Sequence, residues 1–229
     1  MGDQVYVDQP HYDFLSRRSS KWLTEKFEKA YSKSFTALKS LLENGGNIMI
    51  SDDHEFWNDY PNPPHPVIWP ALAFSDGYRK SMKKRGEKWF KRVQYGMSTS
   101  SSFSLGSDIS FFTMDTRYNR TPSFGPDRFV TFEDMNKFRV WVTSLKSPGV
   151  VFMGQPIFVP PTSGVEIGGR IVLDYGIPSF WQYRRFVDIL SYTNHDVVIV
   201  AGDVHFGRIS TTQLARKDKA PTRKLIEVI

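Results

Sequence analysis

Three short apolar runs, each followed at once by polar residues, constrain the fold of this chain more than any other feature of its sequence. The first is the end of a strand, read from the residues that open GDQVYVD, the second reads NIMIS and the third reads VVIVAG. Runs of this length are typical of buried β-strands. The polar residues that follow them are Asp3, Asp53, His54, Asp203 and His205. Because sites in α/β proteins collect beyond the carboxyl ends of strands, the pattern predicts that these side chains converge.

Segments with helical periodicity lie between these runs. Apolar residues spaced by three and four predict a helix over 19–43, which Asn44 and two glycines would end. Thr131 is the predicted N-cap of a further helix. Two more helices are expected, a basic one near 80–96 and another over 179–193. Strands alternating with helices predict a mixed α/β class.

Two hairpins and one further strand complete the predicted elements. The alternating segment 102–117 has the pattern of a hairpin, and 149–155 that of a short buried strand. The segment RISTTQL is expected to pair with the strand VVIVAG that precedes it. No linker divides the chain, so a single domain over residues 1–229 is predicted.

The composition excludes several classes of protein. The chain of 229 residues has no cysteine, which excludes disulfides, thiolate metal sites and a cysteine nucleophile. No window holds the ~18 consecutive apolar residues of a membrane span. The first residues show no secretory signal. A serine hydrolase is disfavoured because the sequence contains no Gly-x-Ser-x-Gly elbow.

The net charge of +6 comes mainly from one segment, residues 79–92, which holds eight Lys or Arg and one Glu. A solvated helix face is the favoured interpretation, and an anionic partner is the alternative. Trp89 and Phe90 could add stacking surface for a nucleic acid. No nucleic-acid motif accompanies them, so nucleic-acid binding is disfavoured.

Other polar residues are predicted to be structural. Asp8 is expected to form a turn. His11 and His65 are expected to be solvated in loops, although either could reach the site. His195 begins the last apolar strand, about 20 Å from the polar residues that follow it, and is therefore expected at the surface.

Three blocks of the sequence resemble those of purple-acid-type metallophosphoesterases, in the same order. GDQVY resembles their Gly-Asp-x-x-Tyr block, DDHEF stands where they have Gly-Asn-His-Glu, and GDVHFG stands where they have Gly-His-x-His. Aspartate replaces the expected residue in the second and third blocks, and this pattern is similar to that of the alkaline phosphatase D (PhoD-like) family. The segment DTRYNR between these blocks and the segment WQYRRFVDIL before the last one resemble the same family. The resemblance extends from Gly2 to about residue 212.

The resemblance implies a sandwich of two mixed β-sheets flanked by helices, with a dinuclear centre that hydrolyses phosphoesters. The implied metals are Fe³⁺ with Ca²⁺, or with Mn²⁺, Mg²⁺ or Zn²⁺. Asp3 would bridge the metals and Tyr6 would bind iron as phenolate. Asp53 would bind the second metal. The metal ligands implied in this way are Asp3, Tyr6, Asp53, Asp203 and His205.

Further roles follow from the same resemblance. His54 would stabilise the phosphoryl transition state or protonate the leaving group. Asp52 and Gln155 would support ligands rather than bind a metal strongly. A small phosphoester is the implied substrate, and its contacts with Arg117, Arg120 and Arg185 are weaker expectations. Arg117 could instead form an ion pair with Asp115.

The resemblance also predicts a truncated chain. The superfamily's first Asp-bearing block should precede Gly2, and KLIEVI has the pattern of a strand just starting. The chain is therefore expected to be a fragment or a shortened copy. Two functions stay open at this point, a phosphoester hydrolase and a catalytically incomplete remnant that binds an anion through residues 79–92.

Overall fold

A computed structural model describes residues 4–44, 47–93, 100–122, 128–158, 176–203, 207–216 and 219–229. The chain divides into two compact units. The helical unit comprises Gly2–Met97 and Ser163–Asp174, and the sheet unit comprises Met1, Ser98–Thr162 and Tyr175–Ile229. The single domain expected from the sequence stays a prediction.

The helical unit is built from α1 (Ser20–Glu43), the short α2 (Pro70–Ala73) and α3 (Asp76–Val93), after a 3₁₀ turn at His11–Phe14. The Ser19 hydroxyl accepts a hydrogen bond from the Trp22 amide at 3.1 Å, which fixes the first turn of α1. The helix predicted over 19–43 is confirmed. The basic helix begins at Asp76, earlier than the predicted residue 80.

Helices α1 and α3 form the core of this unit. Phe27 and Tyr31 on α1 are buried, as are Met82 and Phe90 on α3. Gly86 is buried on α3, where an added Cβ would lie 2.5 Å from Phe56 Cδ1. Gly86 is therefore the residue that lets α3 approach Glu55 and Phe56 closely.

The two strands predicted near the N-terminus and at NIMIS are wrong. Residues 4–7 and 47–51 adopt no strand in the described part of the helical unit. The amides of Gln4 and Val5 donate to Glu55 Oε1 at 2.8 and 3.3 Å, and the Val7 amide donates to the His54 carbonyl at 3.1 Å. The Glu55 carboxylate thus accepts backbone hydrogen bonds that a neighbouring strand would otherwise accept. Ile50 is nevertheless buried, as the apolar run predicts.

The sheet unit contains a six-stranded mixed sheet in the described part of the chain. Its spatial order is β1-β2-β3-β4-β6-β5, in which β2, β3, β4 and β6 are parallel and the edge strands β1 and β5 are antiparallel to their neighbours. The mixed α/β class is confirmed, with one of the two expected sheets in the described residues. The strands are β1 (Ser101–Leu105), β2 (Ile109–Met114), β3 (Gly149–Met153), β4 (Val197–Val200), β5 (Ile209–Arg216) and β6 (Lys219–Val228).

Helices α4 (Phe132–Ser144) and α5 (Gln182–Ser191) connect parallel strands of this sheet and pack against it. Thr131 caps α4, as predicted, by accepting from the Asp134 amide at 3.0 Å. A 3₁₀ turn at Ile177–Ser179 precedes α5, so this helix is shorter than predicted. No described helix is long and apolar enough to cross a membrane.

The predicted partner of β5 is wrong. β5 pairs antiparallel with β6, and β6 lies between β5 and β4. The predicted strand at KLIEVI is present, but it is the last part of β6, which begins at Lys219, rather than a strand just starting. Leu225 is buried in the core, and buried Glu227 accepts hydrogen bonds from the Ile157 amide and Arg208. β6 thus has an interior position in the sheet, with a strand on either side.

Candidate functional site

In the helical unit, residues 52–59 form a tight turn around two buried carboxylates. The Asp53 carbonyl accepts hydrogen bonds from the Phe56 and Trp57 amides, both at 2.8 Å. Asp53 Oδ2 accepts from the Asp59 amide at 2.7 Å, and Asp52 Oδ1 accepts from the Asp53 amide at 3.1 Å. The backbone therefore fixes the position of both carboxylates, although they do not follow a strand as predicted.

His54 is held by a residue for which the sequence predicted only a turn. Asp8 lies in a turn, as expected, but it is fully buried and its Oδ1 lies 2.8 Å from His54 Nδ1. Its Oδ2 accepts from the Asn58 amide at 2.8 Å, which fixes the carboxylate itself. A carboxylate in this position favours the proton on Nδ1 and orients the imidazole ring. The interpretation of Asp8 as a turn former alone is therefore corrected.

Tyr6 packs beside His54. Their ring centroids are 4.1 Å apart with planes inclined by 30°, and Tyr6 is 38% exposed. Asp53 is the chain neighbour of His54. The helical unit therefore brings the predicted residues Tyr6 and His54 into direct contact, and Asp53 precedes His54 in the chain.

Glu55 is a structural residue of this region that the sequence reasoning missed. It is fully buried and accepts hydrogen bonds from the Gln4, Val5 and Asp52 amides. It thereby joins the first of the three sequence blocks to the second. Burial, and then the charge of Glu55, raises the pKa of Tyr31 on α1 well above its usual value. The presence of Glu55 within DDHE was the signal that could have revealed it.

In the sheet unit, Asp203 and Gln155 follow the neighbouring parallel strands β4 and β3, as predicted. The Gly202 amide donates to the Gly154 carbonyl at 3.0 Å, which holds the two strand ends together. Gln155 Nε2 donates to Asp203 Oδ2 at 2.7 Å. Asp203 has φ of +70°, a left-handed conformation that non-glycine residues rarely adopt. Such conformations cluster at functional sites.

Two buried arginines lie beside this pair. Arg117 is fully buried, and one of its terminal nitrogens lies 3.6 Å from Asp203 Oδ2. Arg120 donates to Gln155 Oε1 and to the Thr116 carbonyl, and it stacks 4.9 Å from the centre of the Phe180 ring. Asp115 accepts from backbone amides, including that of Arg117 at 2.9 Å. Arg117 therefore contacts Asp115 through its backbone amide and Asp203 through its guanidinium.

The remaining predicted residues lie elsewhere. Asp3 and His205 fall outside the described residues. Arg185 is exposed on α5, and His11 is exposed as predicted. His65 and His195 are half-buried. His195 precedes β4, at the opposite end of that strand from Asp203.

In the described part of the chain, the groups that could bind a metal ion together are carboxylates. Those that could hold an ion belong to Asp52 and Asp53 in the helical unit and to Asp203 in the sheet unit. Hard cations such as Ca²⁺, Mg²⁺ and Mn²⁺ prefer oxygen donors of this kind. The donor chemistry of these side chains therefore fits a metal ion.

The fold can be compared with those of known proteins. A solved structure of PhoD superimposes on 89% of this chain with a TM-score of 0.63. The chain has the PhoD fold. The sequence identity is 16%, and the chain spans 44% of the length of that PhoD chain. No protein-family model and no curated protein matches the sequence. The PhoD resemblance of the three sequence blocks is thus confirmed at the level of the fold.

Proposed function

We propose that this protein is a metal-dependent phosphoester hydrolase of the alkaline phosphatase or phosphodiesterase type. The observation that carries the proposal is the pairing of His54 with a fully buried Asp8, beside Asp53, in a chain that has the PhoD fold. A buried carboxylate that is hydrogen-bonded to Nδ1 fixes the ring orientation and the tautomer of a histidine, which suits a histidine that transfers a proton.

The proposed metal centre is dinuclear, with Fe³⁺ and Ca²⁺, or Mn²⁺, Mg²⁺ or Zn²⁺ in place of Ca²⁺. When bound, the two cations supply a deprotonated water and neutralise the charge of the phosphate oxygens. A phenolate is a hard anionic ligand and suits Fe³⁺, which is why Tyr6 is assigned to iron. The proposed ligands are Asp3, Tyr6, Asp53, Asp203 and His205.

His54 acts as the proton donor in this proposal. Because Nδ1 donates its proton in a hydrogen bond to Asp8, the proton that is transferred is the one on Nε2. Its acceptor is the oxygen of the leaving alcohol. Asp8 keeps the ring in one orientation and stabilises its positive charge before the transfer.

Two residues position ligands in this proposal. Gln155 Nε2 donates to Asp203 Oδ2, which fixes one carboxylate oxygen and leaves Oδ1 to bind a metal. Asp52 accepts from the Asp53 amide and thereby holds the backbone from which the Asp53 carboxylate projects. Neither role requires the residue to bind a metal itself.

Arginines provide the proposed contacts with substrate. Arg117 and Arg120 lie around the Asp203–Gln155 pair, where a guanidinium suits a phosphate because it donates two parallel hydrogen bonds. Arg185, exposed on α5, is a weaker assignment. The substrate proposed is a small phosphoester.

Hydrolysis of aryl phosphates tests the proposal. We expect chain stripped with EDTA to be inactive on 4-nitrophenyl phosphate and its bis-ester, and to regain activity with Fe³⁺ plus Ca²⁺ or Mn²⁺. His54→Ala should lower kcat about 10²–10⁴-fold with unchanged metal content, because a general acid binds no ion. His195→Ala is the matched control and should keep the rate. Activity that survives EDTA, or a His54→Ala variant with the wild-type rate, would contradict the proposal.

A second candidate function is a non-catalytic remnant that binds an anion through α3. Lys84 and Lys88 are exposed on this helix, which supports the candidate. Arg79 and Arg85, however, donate to carbonyls at Leu72 and Ser20, which ties them to the fold. Metal content separates the two functions, because such a remnant needs no metal.

A further inference from the structure

A cleft between α1 and α3 lies in the helical unit, and the proposed hydrolase does not use it. Its volume is about 290 Å³. It is lined by Tyr31, Ser32, Phe35, Thr36 and Lys39 of α1 and by Trp89 and Val93 of α3. A cleft of this size accommodates one small planar ligand.

Aromatic rings form the apolar part of this cleft. Phe35 lies 5.9 Å from Tyr31 between centroids, with planes inclined by 12°, and Trp89 lies 5.3 Å from Tyr31, inclined by 27°. Tyr31 is buried, whereas Phe35 and Trp89 are half-buried and keep part of their surface open. Phe90, the other aromatic of this segment, is fully buried and cannot stack on a ligand. Phe35 and Trp89 therefore offer partly exposed aromatic surface to a flat ligand ring.

One cation lines the same cleft, and a second lies against its Trp89 ring. The Arg92 guanidinium lies 5.8 Å from the centre of the Trp89 ring, and Lys88 precedes Trp89 on the exposed side of α3. Lys39 lines the cleft from α1, and its ion pair with Glu43, at 3.7 Å, is solvent-exposed. Such a pair contributes little, so an incoming anion can replace it. Positive charge therefore stands on both helices beside an aromatic surface.

We propose that this cleft binds a nucleoside monophosphate. The base stacks on Phe35 and Trp89, and the phosphate lies among Lys39, Lys88 and Arg92. A membrane surface would require protruding apolar side chains, whereas these rings line a cleft. A planar base matches the rings, and a phosphate matches the charge of the rim. This binding is separate from the proposed metal centre and does not depend on hydrolysis.

Calorimetric titration of the whole chain with adenosine 5′-monophosphate tests the proposal. EDTA is present throughout, so that binding is measured without metal-dependent hydrolysis and is judged apart from the proposed function. Adenosine and ribose 5-phosphate are the matched ligands. We expect the monophosphate to bind more tightly than either, because each lacks one of the two recognised groups.

Variants assign the binding to the cleft. Trp89→Leu should weaken it roughly 5- to 150-fold, the usual loss for one base stack, while Trp89→Phe retains most of the affinity. Lys39→Met should weaken it roughly 2- to 5-fold, and Lys33→Met, on the same helix outside the cleft, should not. Circular dichroism shows whether each variant is folded. If Trp89→Leu does not fold, the comparison of Lys39→Met with Lys33→Met tests the proposal.

Four results would overturn the proposal. One is no binding of the monophosphate at millimolar concentration, and another is equal binding of ribose 5-phosphate. The third is wild-type affinity in both Trp89→Leu and Lys39→Met. A single-stranded oligonucleotide that binds where the monophosphate does not would likewise assign the cleft to a macromolecule and contradict it.

Discussion

The imidazole Nδ1 of His54 lies 2.8 Å from Oδ1 of Asp8, a fully buried carboxylate 46 residues earlier in the chain. We expect Asp8→Asn to lower kcat by less than the loss in His54→Ala, which is about 10²–10⁴-fold. The neutral amide still occupies the space but stabilises imidazolium less. KM and metal content should not change, because Asp8 touches neither substrate nor metal in this account.

A double variant distinguishes this role from a general loss of stability. If Asp8 acts through His54, Asp8→Asn combined with His54→Ala should be no slower than His54→Ala alone. Asp13→Asn, which disturbs the 2.6 Å ion pair of Asp13 with Lys26 in the same unit, is the matched control. Additive losses in the double variant would show that Asp8 acts independently of His54.

The assignment of Tyr6 can be tested by colour. A phenolate bound to Fe³⁺ gives an intense visible charge-transfer band, because the oxygen lone pair donates into the metal. We expect iron-loaded protein to show this band and Tyr6→Phe to lose it. Tyr12→Phe, at an exposed tyrosine nearby in the chain, should keep the band. A band that persists in Tyr6→Phe would mean that Tyr6 only packs against His54.

The close approach at Gly86 predicts a large effect of a small substitution. In Gly86→Ala the new Cβ would lie 2.5 Å from Phe56 Cδ1 and 2.8 Å from the Glu55 carbonyl. We expect a loss of about 1–3 kcal/mol in the free energy of unfolding, measured with urea, because the core cannot accept the methyl group. Gly77→Ala, on the same helix with no atom within 4 Å, should instead gain up to about 1 kcal/mol. Equal effects of the two substitutions would contradict this packing.

Tyr31 predicts a loss of stability in alkali. Burial and the charge of Glu55 raise the pKa of Tyr31 in the folded protein, so its contribution is complete below the unfolded value of about 10 and is lost as pH rises above it. Between pH 9 and 11 we expect the Tm of Tyr31→Phe to fall less than that of the wild type. Tyr12→Phe, at an exposed position, should follow the wild type. If the Tm of wild type and of Tyr31→Phe fell equally with pH, ionisation of Tyr31 would not be the cause of the loss of stability.

The sequence predicted correctly the helix starts that depend on hydrogen bonds between residues close in the chain. Ser19 and Thr131 cap the helices whose starts they predicted. The apolar runs at β3 and β4 became strands because each has a strand on both sides in the sheet. The same kind of run at NIMIS buries Ile50 without forming a strand, since apolar residues predict burial but do not supply a neighbouring strand.

Contacts between distant residues account for what the sequence did not predict. The place of β6 between β4 and β5 depends on pairing across the sheet, which periodicity does not reveal. Nothing in the spacing of Asp8 and His54 indicates that they meet, and the role of Glu55 requires three amides from two separate segments. The contact of Gln155 with Asp203 was easier to anticipate, because both residues lie at the ends of apolar runs that were predicted to be strands.

The metal stoichiometry of the purified chain tests the central claim most directly. We expect elemental analysis after loading with iron and calcium to find bound metal in the wild type. Asp53→Asn and Asp203→Asn should each lose metal, because an amide replaces a carboxylate ligand of nearly the same shape. Asp76→Asn, at an exposed carboxylate on α3, should retain the full complement. A wild-type chain that binds no metal, or Asp53→Asn and Asp203→Asn variants that bind as much as Asp76→Asn, would contradict the account.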